Sequence, residues 1–135
     1  MITEDYVSFE TAKLLKEKGF DEYCPLWYNL DKPLEGPFFY KEIGWYGHNS
    51  YDYNGKRIVS APTLQMAMKW LREVHKVHIS IYPFNRELPV TDEFYYTCDI
   101  ATSKLSSKEG HLRGVWKTYE EATEAALKYC LENLI

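Results

Sequence analysis

The run from Leu64 to Lys76 constrains this chain most tightly. Leu64, Ala67, Met68, Leu71 and Val74 recur at three- and four-residue steps, and Trp70 widens the stripe. Lys69, Arg72, Glu73 and Lys76 make the wet face. That period belongs to an amphipathic helix with one side in a core. Ser60-Ala61-Pro62-Thr63 precedes it, and a proline in a first helical turn loses little because its missing N–H is unpaired there anyway. Two further helices follow from similar signals. Ser8 caps a stretch to Lys18 with Phe9, Ala12, Leu14 and Leu15 apolar, basic residues at its end, and Gly19 as the stop. Thr118-Tyr119-Glu120-Glu121 reads as a capping box, followed by a stripe of Ala122, Ala125, Ala126, Tyr129, Cys130 and Leu134.

Between the helices the period changes to two. His78 to Tyr82 alternates and is rich in β-formers, with Pro83 ending or bending it, and Phe94 to Ile100 is a second strand. Leu112 to Trp116 offers a third. Upstream, Pro25–Leu30 and Phe38–Ile43 read as strands joined by a turn over Asp31 to Gly36, with another from Arg57 to Val59. Short polar turns between consecutive strands favour antiparallel pairing, since parallel pairs need long crossovers. The expectation is a single α+β domain over residues 1–135, with an antiparallel β-sheet packed against about three helices.

Composition narrows the function classes. Hydrophobic residues are 45% and charged residues 27%, which is globular rather than disordered. A net charge of −4 disfavours broad binding to nucleic acid or anionic membrane. No apolar run reaches the roughly 20 residues that span a bilayer, and Met-Ile-Thr-Glu-Asp has no basic start leading into an apolar stretch. Cys24, Cys98 and Cys130 are odd in number and far apart, which suggests buried free thiols in a reducing compartment, hence a cytoplasmic location.

Three segments resemble a known family: Ile2 to Phe20, Ala61 to Glu73, and Tyr119-Glu120-Glu121-Ala122 to Leu131-Glu132-Asn133-Leu134-Ile135. They are similar to small proteins of bacteriophages and mobile elements in Bacteroides-like gut bacteria. The resemblance covers the helices, under half the chain, and nothing between Tyr23 and Ser60. It implies a cytoplasmic setting and a phage or mobile-element origin. That family carries no known activity, so no catalytic residues transfer.

The aromatic content, 16% with 12 Tyr, concentrates the search for a site on residues 44–55, Gly-Trp-Tyr-Gly-His-Asn-Ser-Tyr-Asp-Tyr-Asn-Gly. Gly, Asn and Ser favour loops, while Tyr and Trp supply large rigid contact areas at low entropic cost. Trp45, Tyr46, Tyr51 and Tyr53 are therefore candidate partner-binding residues, with Trp27 and Tyr40 in support. The plainer reading is a hairpin whose rings fold back over a small core.

Other chemistries have less behind them. His75 and His78, with Asp99 or Cys98, are candidates for a metal site or a small hydrolase or transferase, but no third ligand stands at a convincing spacing. There is no phosphate loop, nucleophile elbow or H-E-x-x-H. Asp92-Glu93 reads as a solvated turn and Glu120-Glu121 as a helix N-terminus. Lys104, Lys108, Arg113 and Lys117, with His111, form a locally basic stretch suited to a nucleic-acid accessory role, yet residues 44–55 contain no Lys or Arg to track phosphates. The sequence thus points to a non-enzymatic binding module without cofactor or metal, whose partner is a protein or a second copy of itself.

Overall fold

The computed structural model describes residues 2–40, 47–49, 57–84, 94–103 and 112–135. Among them are three helices and two antiparallel sheets, so the chain is α+β. The strands are shared between a three-stranded and a two-stranded sheet. The chain divides into two compact units, Met1–Ala67 and Met68–Ile135, and the boundary falls inside a helix.

In the first unit, α1 (Phe9–Glu17) starts where Ser8 Oγ accepts the Thr11 amide at 3.3 Å. It ends in a Schellman motif: Gly19 adopts φ +92°, its amide donates to Lys16 O, and Phe20 N–H reaches Leu15 O. Strand β1 (Leu26–Asn29) lies between β2 (Phe38–Phe39) and β3 (Ile58–Ser60). Its register sets Trp27 opposite Phe38 on one side and Ser60 on the other. Helix α1 packs on β3, where Lys16 Nζ donates to Ile58 O at 2.9 Å. Val7, Ala12, Leu15, Phe20 and Val59 form the buried centre. Tyr28 lies in it too, its hydroxyl donating to Val7 O at 2.8 Å and its ring meeting Phe9 edge-on.

Helix α2 (Leu64–His75) buries Leu64, Ala67, Met68, Trp70 and Leu71. Val74, expected on the same stripe, is instead 54% exposed because it falls in the last turn. Lys76 then takes the left-handed conformation at φ +57°, and Val77 N–H donates back to Leu71 O.

The second unit pairs β4 (His78–Phe84) with β5 (Tyr95–Ala101) from His78↔Ala101 to Phe84↔Tyr95. Helix α3 (Tyr119–Asn133) packs against both strands. Thr118 Oγ1 caps it by accepting the Glu121 amide at 3.0 Å. Its buried face comprises Ala122, Thr123, Ala126, Leu127, Cys130 and Leu131. That face is rotated from the expected stripe: Ala125 and Tyr129 are half-exposed. Thr123 can be buried because its hydroxyl donates to Tyr119 O at 2.8 Å, leaving no unpaired donor. The segment from Leu112 to Trp116 joins the sheet by a single bridge, Tyr96 to Trp116. No helix of the described residues is long and apolar enough to cross a membrane.

Candidate binding face on the two-stranded sheet

Side chains alternate across a strand, so β4 and β5 present two different surfaces. One holds Ile79, Ile81, Tyr96, Cys98 and Ile100, and this is the side α3 covers. Cys98 and Ile100 are buried there, and Tyr96 meets Tyr119 of α3 edge-on at 6.0 Å. The other holds His78, Ser80, Tyr82 and Phe84 from β4 and Tyr95, Thr97, Asp99 and Ala101 from β5. On it Tyr82 and Phe84 are 40% exposed and Tyr95 38%. Register sets Phe84 directly opposite Tyr95 and Tyr82 opposite Thr97, so the three rings are neighbours.

A concavity of about 340 Å³ opens on this face, lined by Tyr82, Phe84, Thr97, Gly114 and Val115. Its far wall is held by Thr97 Oγ1 donating to Gly114 O at 2.8 Å. Glycine is needed there: a Cβ at residue 114 would lie 2.9 Å from the Trp116 ring. Trp116 is fixed in turn by two 2.8 Å backbone hydrogen bonds with Tyr96. The Tyr82 phenol is held above its ordinary pKa, first by partial loss of water, then by the adjacent Asp99 carboxylate and the Cys98 sulfur, with a hydrogen bond to Asp99 acting in the same direction. It remains a neutral hydroxyl over the physiological range, able to donate. The face therefore combines flat apolar rings, a hydroxyl donor and one carboxylate.

The residues singled out from sequence fall in different places. Trp45, Tyr46, Tyr51 and Tyr53 lie outside the described residues. The middle of their segment is described and tied to the first unit. Gly47 bridges to Cys24, with its carbonyl accepting the Cys24 amide at 2.9 Å. His48 Nδ1 lies 3.0 Å from an Asp21 carboxylate oxygen. The Asn49 side chain clasps two backbones, donating to Phe20 O at 2.7 Å and accepting the Ser60 amide at 2.8 Å.

Trp27 and Tyr40 are core residues, 9% and 1% exposed. The Trp27 ring packs 5.0 Å from Phe38 and 6.4 Å from Tyr40, and the Tyr40 hydroxyl is 2.7 Å from Ser60 Oγ. They frame the first sheet and offer no contact surface. Sequence reading misplaced them because Tyr and Trp carry a polar tip on an apolar body, and only their partners reveal which end decides.

His75 is half-buried with its ring 4.7 Å from Trp70, whereas His78 is exposed on the open sheet face, one diagonal step from Asp99. Among the described residues no three His, Cys, Asp or Glu side chains gather as metal ligands. Burial pushes the Cys24 thiol up to about 12, with Glu22 adding to it. Cys130 rises to about 12, again through burial and then Cys98, and Cys98 rises through burial and then Asp99. All three are free and buried, hence inert thiols rather than nucleophiles. Lys104, Lys108, His111, Asp92 and Glu93 lie outside the described residues, while Arg113 and Lys117 are exposed. The residues missed from sequence are Tyr82, Phe84 and Tyr95. Their signal was present as aromatics at period two beside the Ile79/Ile81 side of the same strand.

No family model, curated protein or solved structure matches this chain.

Proposed function

We propose that this chain is a non-enzymatic protein-binding module, of the phage or mobile-element kind its helical segments resemble. The observation that supports it is the set of neighbouring exposed rings, Tyr82, Phe84 and Tyr95, on the open side of β4–β5 beside the Gly114 concavity. Exposed single apolar residues are ordinary, but a contiguous aromatic group on one regular surface marks a contact. Aromatic anchors surrounded by polar groups are the usual energetic centre of a protein interface. The aromatic residues Trp45, Tyr46, Tyr51 and Tyr53 form a second contact surface in this reading, presented on either side of the Gly47–Asn49 clasp in sequence.

Affinity capture from a host lysate at two salt concentrations tests this, with bound protein and nucleic acid both identified. The wild type retains one dominant protein, and Trp45→Ala with Tyr46→Ala weakens its capture. Recovery of nucleic acid alone, lost steeply as salt rises, would replace this reading with a phosphate-binding one.

A further inference from the structure

The direction of the backbone groups along β4 follows from β5. Tyr96 exchanges two hydrogen bonds with Trp116, so its N–H and C=O point away from β4. Because these groups alternate along a strand, Tyr95, Thr97, Asp99 and Ala101 turn theirs toward β4. In the observed register their partners are Phe84, Tyr82, Ser80 and His78. Ile79, Ile81 and Pro83 therefore turn theirs outward, to the edge of the sheet that no other described strand pairs with. Among the described residues, the Ile79 and Ile81 peptide groups have no backbone partner.

Natural edge strands are kept from pairing with one another by charges, by brevity or by proline. Strand β4 is seven residues long and contains no Asp, Glu, Lys or Arg. Its one obstacle is Pro83, next to its end.

We propose that a second copy of this chain pairs antiparallel with β4 about Ser80, giving a four-stranded sheet in the order β5-β4-β4-β5. This goes beyond the binding reading above, since it uses the edge of the sheet rather than its open face. It holds whether or not that face takes a foreign protein. The pairing is selected by its donors. With Ser80 opposite the partner's Ser80, Ile79 faces the partner's Ile81, and each of the two such pairs exchanges two hydrogen bonds. Pro83, which has no N–H, then faces the partner's Val77. Within the chain the Val77 amide is already given to Leu71 O, so two positions lacking a free donor meet.

A slip of two residues one way sets Ile79 against the partner's Pro83 and leaves its carbonyl without a donor. A slip the other way sets Ile81 against the partner's Val77, with the same loss. The side chains agree with the central register: Ile meets Ile on the α3 side, and on the open side Ser80 meets itself while His78 meets the partner's Tyr82. No like charges are opposed, which is what lets the strand accept its own copy.

The test uses the intact protein in sedimentation equilibrium and oxidative crosslinking. The wild type moves from monomer toward dimer mass as concentration rises. Ser80→Glu, which sets two carboxylates face to face with Asp99 on either side, stays monomeric. An equimolar mixture of Ser80→Glu and Ser80→Lys recovers dimer, which shows that both variants fold. Ser80→Cys forms a disulfide-linked dimer under mild oxidation, because directly opposed residues of this non-hydrogen-bonded pair lie about 4.5 Å apart between Cα atoms, within disulfide reach. A wild type that stays monomeric at every concentration overturns the proposal. So does a dimer that Ser80→Glu leaves intact, or one in which Ser80→Cys fails to crosslink.

Discussion

Replacing Tyr40 by Phe separates a core role for this ring from a contact role. The Tyr40 hydroxyl lies 2.7 Å from Ser60 Oγ, and both residues are fully buried. Removing the phenolic oxygen leaves the ring in place over Gly47 but takes away the partner of the buried Ser60 hydroxyl. A buried polar group left without its partner costs about 1–3 kcal/mol, more than the bond itself contributes net. Ser60→Ala breaks the same hydrogen bond from the other side and is destabilising as well. Replacing both removes the polar pair together, so the double variant loses less than the sum of the singles, with a coupling of about 1 kcal/mol or more. Urea unfolding followed by circular dichroism reads this directly. With a slope of about 1–3 kcal/mol per molar urea, each single substitution lowers the midpoint by roughly 1 M. Strict additivity, or a Tyr40→Phe variant within about 0.3 kcal/mol of wild type, would refute the buried pair and return Tyr40 to the surface.

Other residues give sharper or opposite effects. Gly47→Ala drives a Cβ into the Tyr40 ring, so the thermal midpoint falls by many degrees and little folded protein is recovered. Lys76→Gly relieves a left-handed residue at the end of α2 and raises stability by about 0.5–1 kcal/mol in the same unfolding assay. Cys24 and Cys130 are unreactive toward a thiol reagent at pH 8 until the protein is denatured, because both are held protonated up to about 12. Since their pKa is higher folded than unfolded, their stabilising effect is complete below pH 9.0 and declines as pH rises toward 12, so alkaline unfolding begins above pH 9.

Local capping signals made the helices legible. Ser8 and Thr118 start their helices through their hydroxyls, and Gly19 stops α1 because it has no Cβ to oppose a positive φ. What the helices bury was harder to read. Thr123 counts as polar until its hydroxyl is found on the Tyr119 carbonyl, and Leu127 and Leu131 follow it onto the covered side. Strand alternation from His78 to Tyr82 was visible, but which face stays open depends on where α3 packs, a long-range fact that a period of two does not carry. The site was least legible at Trp27 and Tyr40. Their chemistry fits a contact surface as well as a core, and only the Phe38, Ser60 and Gly47 neighbours, distant in sequence, decide between them.

The most direct measurement on the central claim is capture of the host partner by Tyr82→Ala combined with Phe84→Ala, with a thermal melt of the same sample. The expected result is an unchanged fold, because both rings are 40% exposed, together with loss of the captured protein. Undiminished capture by a folded double variant, or collapse of the fold itself, would contradict it.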